Sequence, residues 1–257
     1  MSRKEQFGVC HICGQQKKLT YEHIPPQAGF NSTRQRLCTV DTLLNTPRSG
    51  NRPPWDTAGL RYQQFQQGTG FYTLCGDCNS YTGSKYGTTY SQIIQRIGSE
   101  ILRIPKDERG YGLDIHIENV NLLAFFKQVL SMFCSINTPE FGAHFRTFLL
   151  DENSTEFDQD RYKIFMYLHA GKVVRYVPYQ VQADVETGNV SAFSEISTFP
   201  VGFILYDVSG IQTKEFRGCD ITPFSTCPYR DIQFADMSVP FLTCDTPFGL
   251  DFRSLSK

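Results

Sequence analysis

Cys10-His11-Ile12-Cys13 and, 61 residues further on, Cys75-Gly76-Asp77-Cys78 are the two stretches that organise this chain. A Cys-x-x-Cys turn aims two sulfurs at one point, and two such turns complete a tetrahedral thiolate site for Zn²⁺. Gly14 and Gly76 suit tight turns, because glycine tolerates positive φ. Cys10, Cys13, Cys75 and Cys78 are therefore expected to hold structural zinc. The chain has nine cysteines, an odd number, and its polar start gives no expectation of export, which argues against a disulfide framework. The other five cysteines are expected to be ordinary buried thiols. His11, inside the first turn, is expected to face solvent. The 61-residue separation exceeds that of a compact zinc ribbon, so an insertion divides the two turns.

Next to the first turn, Lys17 to Ile24 alternates as a short strand that carries Glu22 and His23, and Pro25-Pro26 stops it. Phe71 to Leu74 reads as a second strand running into the second turn. Asn79 is a favoured helix cap. Tyr86, Tyr90, Ile93, Ile94 and Ile97 form the apolar stripe of a helix over 80–97. Residues 27–70 are rich in Gly, Pro, Asn, Gln and Arg and lack periodicity, so they read as a long loop with short helical turns at most. There Arg34, Arg36, Arg48, Arg52 and Arg61 interleave with Trp55, Tyr62 and Phe65, a composition suited to phosphate pairing and base stacking. A solvated loop whose aromatics cover the core is the plainer reading.

Two strands followed by a helix, pinned by zinc at the open end, bring Glu22, His23 and Asn79 together. Glu22 and Asn79 offer hard oxygens that suit Mg²⁺ or Mn²⁺. His23 offers an imidazole base. Together they are the parts needed to activate water against a phosphodiester.

Cys-x-x-Cys, then Glu22-His23-Ile24-Pro25-Pro26, then Cys-x-x-Cys-Asn79 with Gly83 following, resembles the HNH, or ββα-metal, nuclease superfamily. The layout is similar to the zinc-stapled branch that includes phage recombination endonuclease VII. The resemblance spans residues 8–98, about a third of the chain. It implies Glu22 and Asn79 as ligands of a catalytic Mg²⁺ or Mn²⁺, His23 as general base, and zinc on the four cysteines. It implies DNA as substrate. Three features depart from the pattern. Glu22 stands where Asp is common. The long insertion leaves the histidine-orienting Asn open among Asn31, Asn45 and Asn51, with Asn31 first. The third motif position on the helix has no counterpart near Gly83, where Lys85 is a candidate phosphate contact beside Arg48, Arg52 and Arg61.

Residues 103–114 are charged and turn-rich and suggest a boundary, giving a nuclease-like unit over 1–110 and a second unit over 111–257. Asn119 or Asn121 caps a helix to about Ile136 whose stripe is Leu122, Phe125, Phe126, Val129, Leu130 and Phe133. Strand-like runs follow at 162–169, 172–181, 189–196 and 200–208, with two shorter ones near Ile232 and Phe241. The whole reads as α+β: an N-terminal zinc-stapled ββα-metal domain, then an α+β region with an antiparallel sheet. His116, His144 and His169 have no partners at ligand spacing and are expected to be structural.

With 40% hydrophobic and 20% charged residues, the 257-residue chain can bury a core and is not disordered throughout. A formal net charge of −1 excludes a uniformly polybasic protein. Residues 1–110 nevertheless carry 14 Lys+Arg against 8 Asp+Glu, and the remainder is acidic. The basic half suits DNA; the acidic half suits a protein partner or self-association through residues 111–257. No apolar run is long enough for a bilayer, and a cytoplasmic location is expected. Three functions follow: a metal-dependent DNA endonuclease, a catalytically silent zinc-stapled module that binds nucleic acid or protein, and a restrained effector nuclease of bacterial defence that needs a partner.

Overall fold

The computed structural model describes residues 5–47, 53, 55–183, 185–186, 188, 190–209, 216–229, 232–242 and 245–253. Gln6–Val9 (β1) and Gln16–His23 (β2) pair antiparallel on either side of the first Cys-x-x-Cys turn. The insertion is more ordered than its composition suggests. Gln35–Leu37 (β3) pairs with Gln63–Phe65 (β4), and between them Val40–Asn45 (α1) is capped by the Thr39 side chain. These elements are three to six residues long and bury little beyond Leu43 and Phe65. They therefore lack the apolar periodicity that would announce them. Gly70–Cys75 (β5) then pairs with the free edge of β2, completing a β1-β2-β5 sheet.

Strand β2 sets the site. Leu19 and Glu22 are both buried although they stand three residues apart, an odd spacing that puts side chains on opposite faces of a regular strand. A register shift between Thr20 and Tyr21 restores both to the inner face.

Gly76–Thr82 (α2), a π-helical turn over Gly83–Gly87 and Thr88–Arg103 (α3) run end to end. The expected stripe holds, with Tyr86, Tyr90, Ile93, Ile94 and Ile97 all buried. The start differs from the expectation. The helix opens at Gly76 with Cys75 as its N-cap residue, so Asn79 lies inside the helix rather than capping it. The second Cys-x-x-Cys turn is itself the first helical turn, which places Cys78 and Asn79 on adjacent positions.

Gly112–Val120 (β6) begins in the last three residues of the 103–114 stretch that read as a boundary. Its partner, Gln233–Pro240 (β12), pairs His116 with Asp236 across 120 residues of sequence. Leu122–Ile136 (α4) is capped by Asn121, whose side chain accepts from the Ala124 N–H, as expected. Nearly every residue of α4 is buried, because it lies between the front unit and a second sheet. Pro139–Ala143 (α5) and Arg146–Leu150 (α6) follow. Tyr162–Leu168 (β7), Arg175–Ala183 (β8), Val190–Ser197 (β9), Val201–Asp207 (β10) and the short Cys219–Asp220 (β11) form an antiparallel sheet ordered β11-β7-β10-β9-β8. The α+β class and the antiparallel sheet agree with the sequence.

One apolar core runs from Cys10 to Val239 without a break at residue 110. The far face of the five-stranded sheet has its own small cluster, sealed by Leu242, Leu250 and Phe252. Buried Arg175 fixes that seal: it pairs with Glu195 at 2.5 Å and donates to the Phe248 and Asp251 carbonyls. Among the described residues, no helix is long and apolar enough to cross a membrane.

Candidate functional site

The Sγ atoms of Cys10, Cys13, Cys75 and Cys78 all lie within 4.8 Å of one another, and Cys13 and Cys75 are 3.9 Å apart. Zn–S bonds of ~2.3 Å in a tetrahedron set sulfurs ~3.8 Å apart, so the donor set fits zinc. Backbone geometry prepares the turn. Gly14 adopts φ +71° and donates to the Cys10 carbonyl, while the Cys75 N–H points at Cys10 Sγ. The thiols share protons. Hydrogen bonding with Cys78 pulls Cys10 down to about 4, and the same contact, with burial, pushes Cys78 up. A thiolate-binding cation replaces those protons.

The back of the chain closes over this turn. Arg146 Nε donates to the Ile12 carbonyl at 3.0 Å, and a Cβ on Gly142 would meet the His11 carbonyl oxygen at 1.8 Å. His11 is not a solvent-facing residue: it is half-buried, and its Nδ1 lies 3.1 Å from the Cys134 carbonyl of α4. Of the other cysteines, Cys134 is buried, Cys38, Cys219 and Cys227 are half-buried, and Cys244 lies outside the described residues.

Glu22, His23 and Asn79 line one cavity of about 460 Å³, together with Gln128 of α4. Asn79 is tied to β2, its Nδ2 donating to Thr20 Oγ1 at 3.1 Å and to the Tyr21 carbonyl at 3.3 Å. Its amide oxygen makes no hydrogen bond among the described residues. Glu22 is buried and accepts from Ser135 Oγ of α4 at 2.5 Å. Burial pushes its carboxyl up to about 8, against the opposing pull of that hydrogen bond, so the group is protonated at neutral pH. A carboxylate and an amide oxygen are hard donors that suit Mg²⁺ or Mn²⁺ retaining bound waters. Such an ion has first to displace the Glu22 proton.

His23 Nε2 lies 3.1 Å from the Gln67 carbonyl oxygen. Asn31, ranked first to orient the histidine, acts one step away. It is buried, donates to the carbonyls of Pro25 and Thr69, and accepts from the Thr69 N–H at 2.8 Å. It thereby clamps the segment after His23 to the start of β5. Asn45 is exposed on α1 and bonds Asp41, and Asn51 lies outside the described residues. Tyr176 of β8 reaches the same spot, its hydroxyl donating to the Ile24 carbonyl at 2.5 Å and contacting Thr69 Oγ1.

Of the expected phosphate contacts, Arg61 is exposed and available, and Arg48 and Arg52 lie outside the described residues. Lys85 is ion-paired with Glu152. Tyr62 and Trp55 are engaged within the chain, with Arg36 4.8 Å over the Tyr62 ring and Arg253 5.6 Å over Trp55. His116 is exposed beside Asp236 and Glu118, which raise its pKa; His169 is fully buried.

Ser135, Gln128 and Tyr176 were not legible as site residues. A signal for two of them exists: in a helix that is apolar but for Lys127, the residues Gln128, Ser131 and Ser135 fall at i, i+3 and i+7, one face of α4. No family model, curated protein or solved structure matches the chain.

Proposed function

We propose that this chain is a metal-dependent endonuclease that hydrolyses DNA phosphodiester bonds. One observation carries the reading: a four-cysteine clamp joins β2, β5 and α2 so that Glu22, His23 and Asn79 share a single cavity. Glu22 and Asn79 would hold Mg²⁺ or Mn²⁺, which when bound supplies Lewis-acid stabilisation of the leaving oxygen. His23 takes the proton from the attacking water. The Gln67 carbonyl can only accept, so Nε2 carries the ring hydrogen and Nδ1 keeps the lone pair. Asn31 and Tyr176 hold the backbone on which that ring is mounted.

The test is plasmid cleavage with Mg²⁺ and with Mn²⁺, comparing wild type and His23→Ala. Cleavage by wild type alone, with DNA affinity retained in the variant, is the expected result. Equal cleavage by both removes His23 from the chemistry.

A second reading, a silent zinc-stapled binding module, also rests on an observation. Glu22 is buried, protonated and bonded to Ser135, a stable arrangement that uses no second cation. Mn²⁺ binding that depends on Glu22 and Asn79 rejects the silent module; its absence rejects the nuclease.

A further inference from the structure

Helix α4 buries four polar side chains, and two of them have partners. Lys127 Nζ donates to the carbonyls of Asp151 and Glu152, and Ser135 donates to Glu22. Gln128 differs. It is 2% exposed, its Oε1 is fully buried, and neither atom of its carboxamide has a hydrogen-bond partner among the described residues. A buried amide left unpaired costs free energy unless something else completes it.

The amide lines the cavity that holds Glu22, His23 and Asn79. A Cβ on Gly87 would lie 3.6 Å from Gln128 Oε1, so the π-helical turn leaves space where the amide sits. The neighbouring wall is uncharged and rich in hydrogen-bonding groups: Gln27, Thr88, Ser91, Gln92 and Gln95. Among the described residues, no lysine or arginine lines it. That stretch of wall holds no cation for a phosphate, which the ion on Glu22 and Asn79 would take instead. It suits a neutral planar group with a donor and an acceptor side by side, which is what a nucleobase edge presents to a glutamine carboxamide. The volume, about 460 Å³, is that of an ordinary small-ligand pocket.

We propose that Gln128 is a specificity-determining residue that reads the edge of an unpaired nucleobase drawn into this cavity beside the cleaved phosphate. The inference rests on the nuclease reading of the same cavity and names its substrate: DNA with a nucleotide out of the stack. A base inside a continuous duplex cannot reach a buried helix residue, and an unpaired one is already free to leave the stack.

The experiment is fluorescence anisotropy of the full chain with Ca²⁺ in place of Mg²⁺, using two DNA duplexes. One is fully paired; the other carries a single bulged adenine. Wild type is expected to bind the bulged duplex about tenfold more tightly, the range for one hydrogen bond between the amide and the base. Gln128→Met, similar in size but without the amide, is expected to lose that preference while keeping the wild-type melting temperature. Wild type with an abasic site at the bulge is expected to show the same loss, and this arm needs no variant. Equal affinity of wild type for paired, bulged and abasic duplexes overturns the inference and leaves the nuclease reading standing. A preference unchanged in folded Gln128→Met also overturns it. Binding of no DNA at all overturns both.

Discussion

Glu22→Gln should make the protein more stable at alkaline pH, and the difference can be worked out. The carboxyl titrates near 4.5 when free and near 8 in the fold. Below pH 4.5 it is protonated in both states and contributes no pH dependence. Between 4.5 and 8 the unfolded chain releases the proton and the folded chain keeps it, so stability falls as pH rises. Each pH unit in that window costs about 1.4 kcal/mol, or about 5 kcal/mol over the whole shift, as an order of magnitude. Glutamine has the same shape, still accepts from Ser135 and does not titrate. Urea unfolding of zinc-loaded wild type and variant, without Mg²⁺ or Mn²⁺, should show the curves diverging by about 2 kcal/mol between pH 6 and pH 8. Proton release at the four cysteines is common to both proteins and cancels in the difference. Parallel curves would refute the burial argument. Mn²⁺ added at pH 8 should recover stability in wild type and not in the variant; recovery in both would remove Glu22 from the cation site.

Cys78→Ser should lose bound zinc and the cooperative thermal transition, because a structural zinc contributes folding energy directly; zinc analysis and calorimetry that match wild type would sink the assignment. Asn31→Ala leaves buried groups of Pro25 and Thr69 unpaired and should cost about 2–4 kcal/mol, measured by urea unfolding. A loss under 0.5 kcal/mol would show that Asn31 is not the clamp. Tyr176→Phe removes one hydroxyl from the Ile24 carbonyl and should lower the cleavage rate with DNA affinity unchanged. An unchanged rate would free His23 from control by the five-stranded sheet.

The sequence by itself determined the four-cysteine clamp, the β2–β5–helix order and the stripes of α3 and α4. Each is a local pattern: cysteine pairs at fixed spacing, apolar residues at helical period, an asparagine cap at Asn121. It also placed Glu22, His23 and Asn79 at positions that converge, because the clamp joins the ends of the elements carrying them. It did not show that α2 begins at Gly76 with Cys75 as its N-cap residue, since the second Cys-x-x-Cys turn takes the place of the cap that local chemistry would choose. It did not show β6, whose partner β12 lies 120 residues away, nor the core that continues past residue 110. The charge state of Glu22 was beyond it for the same reason. A glutamate on a short strand looks solvated until a bulge turns it inward and α4 covers it with Ser135. Gln128 and Tyr176 reach the site only through packing between distant segments. Local propensity is written residue by residue, whereas burial, and with it protonation and unpaired hydrogen-bonding capacity, belongs to surfaces that meet only in the folded chain.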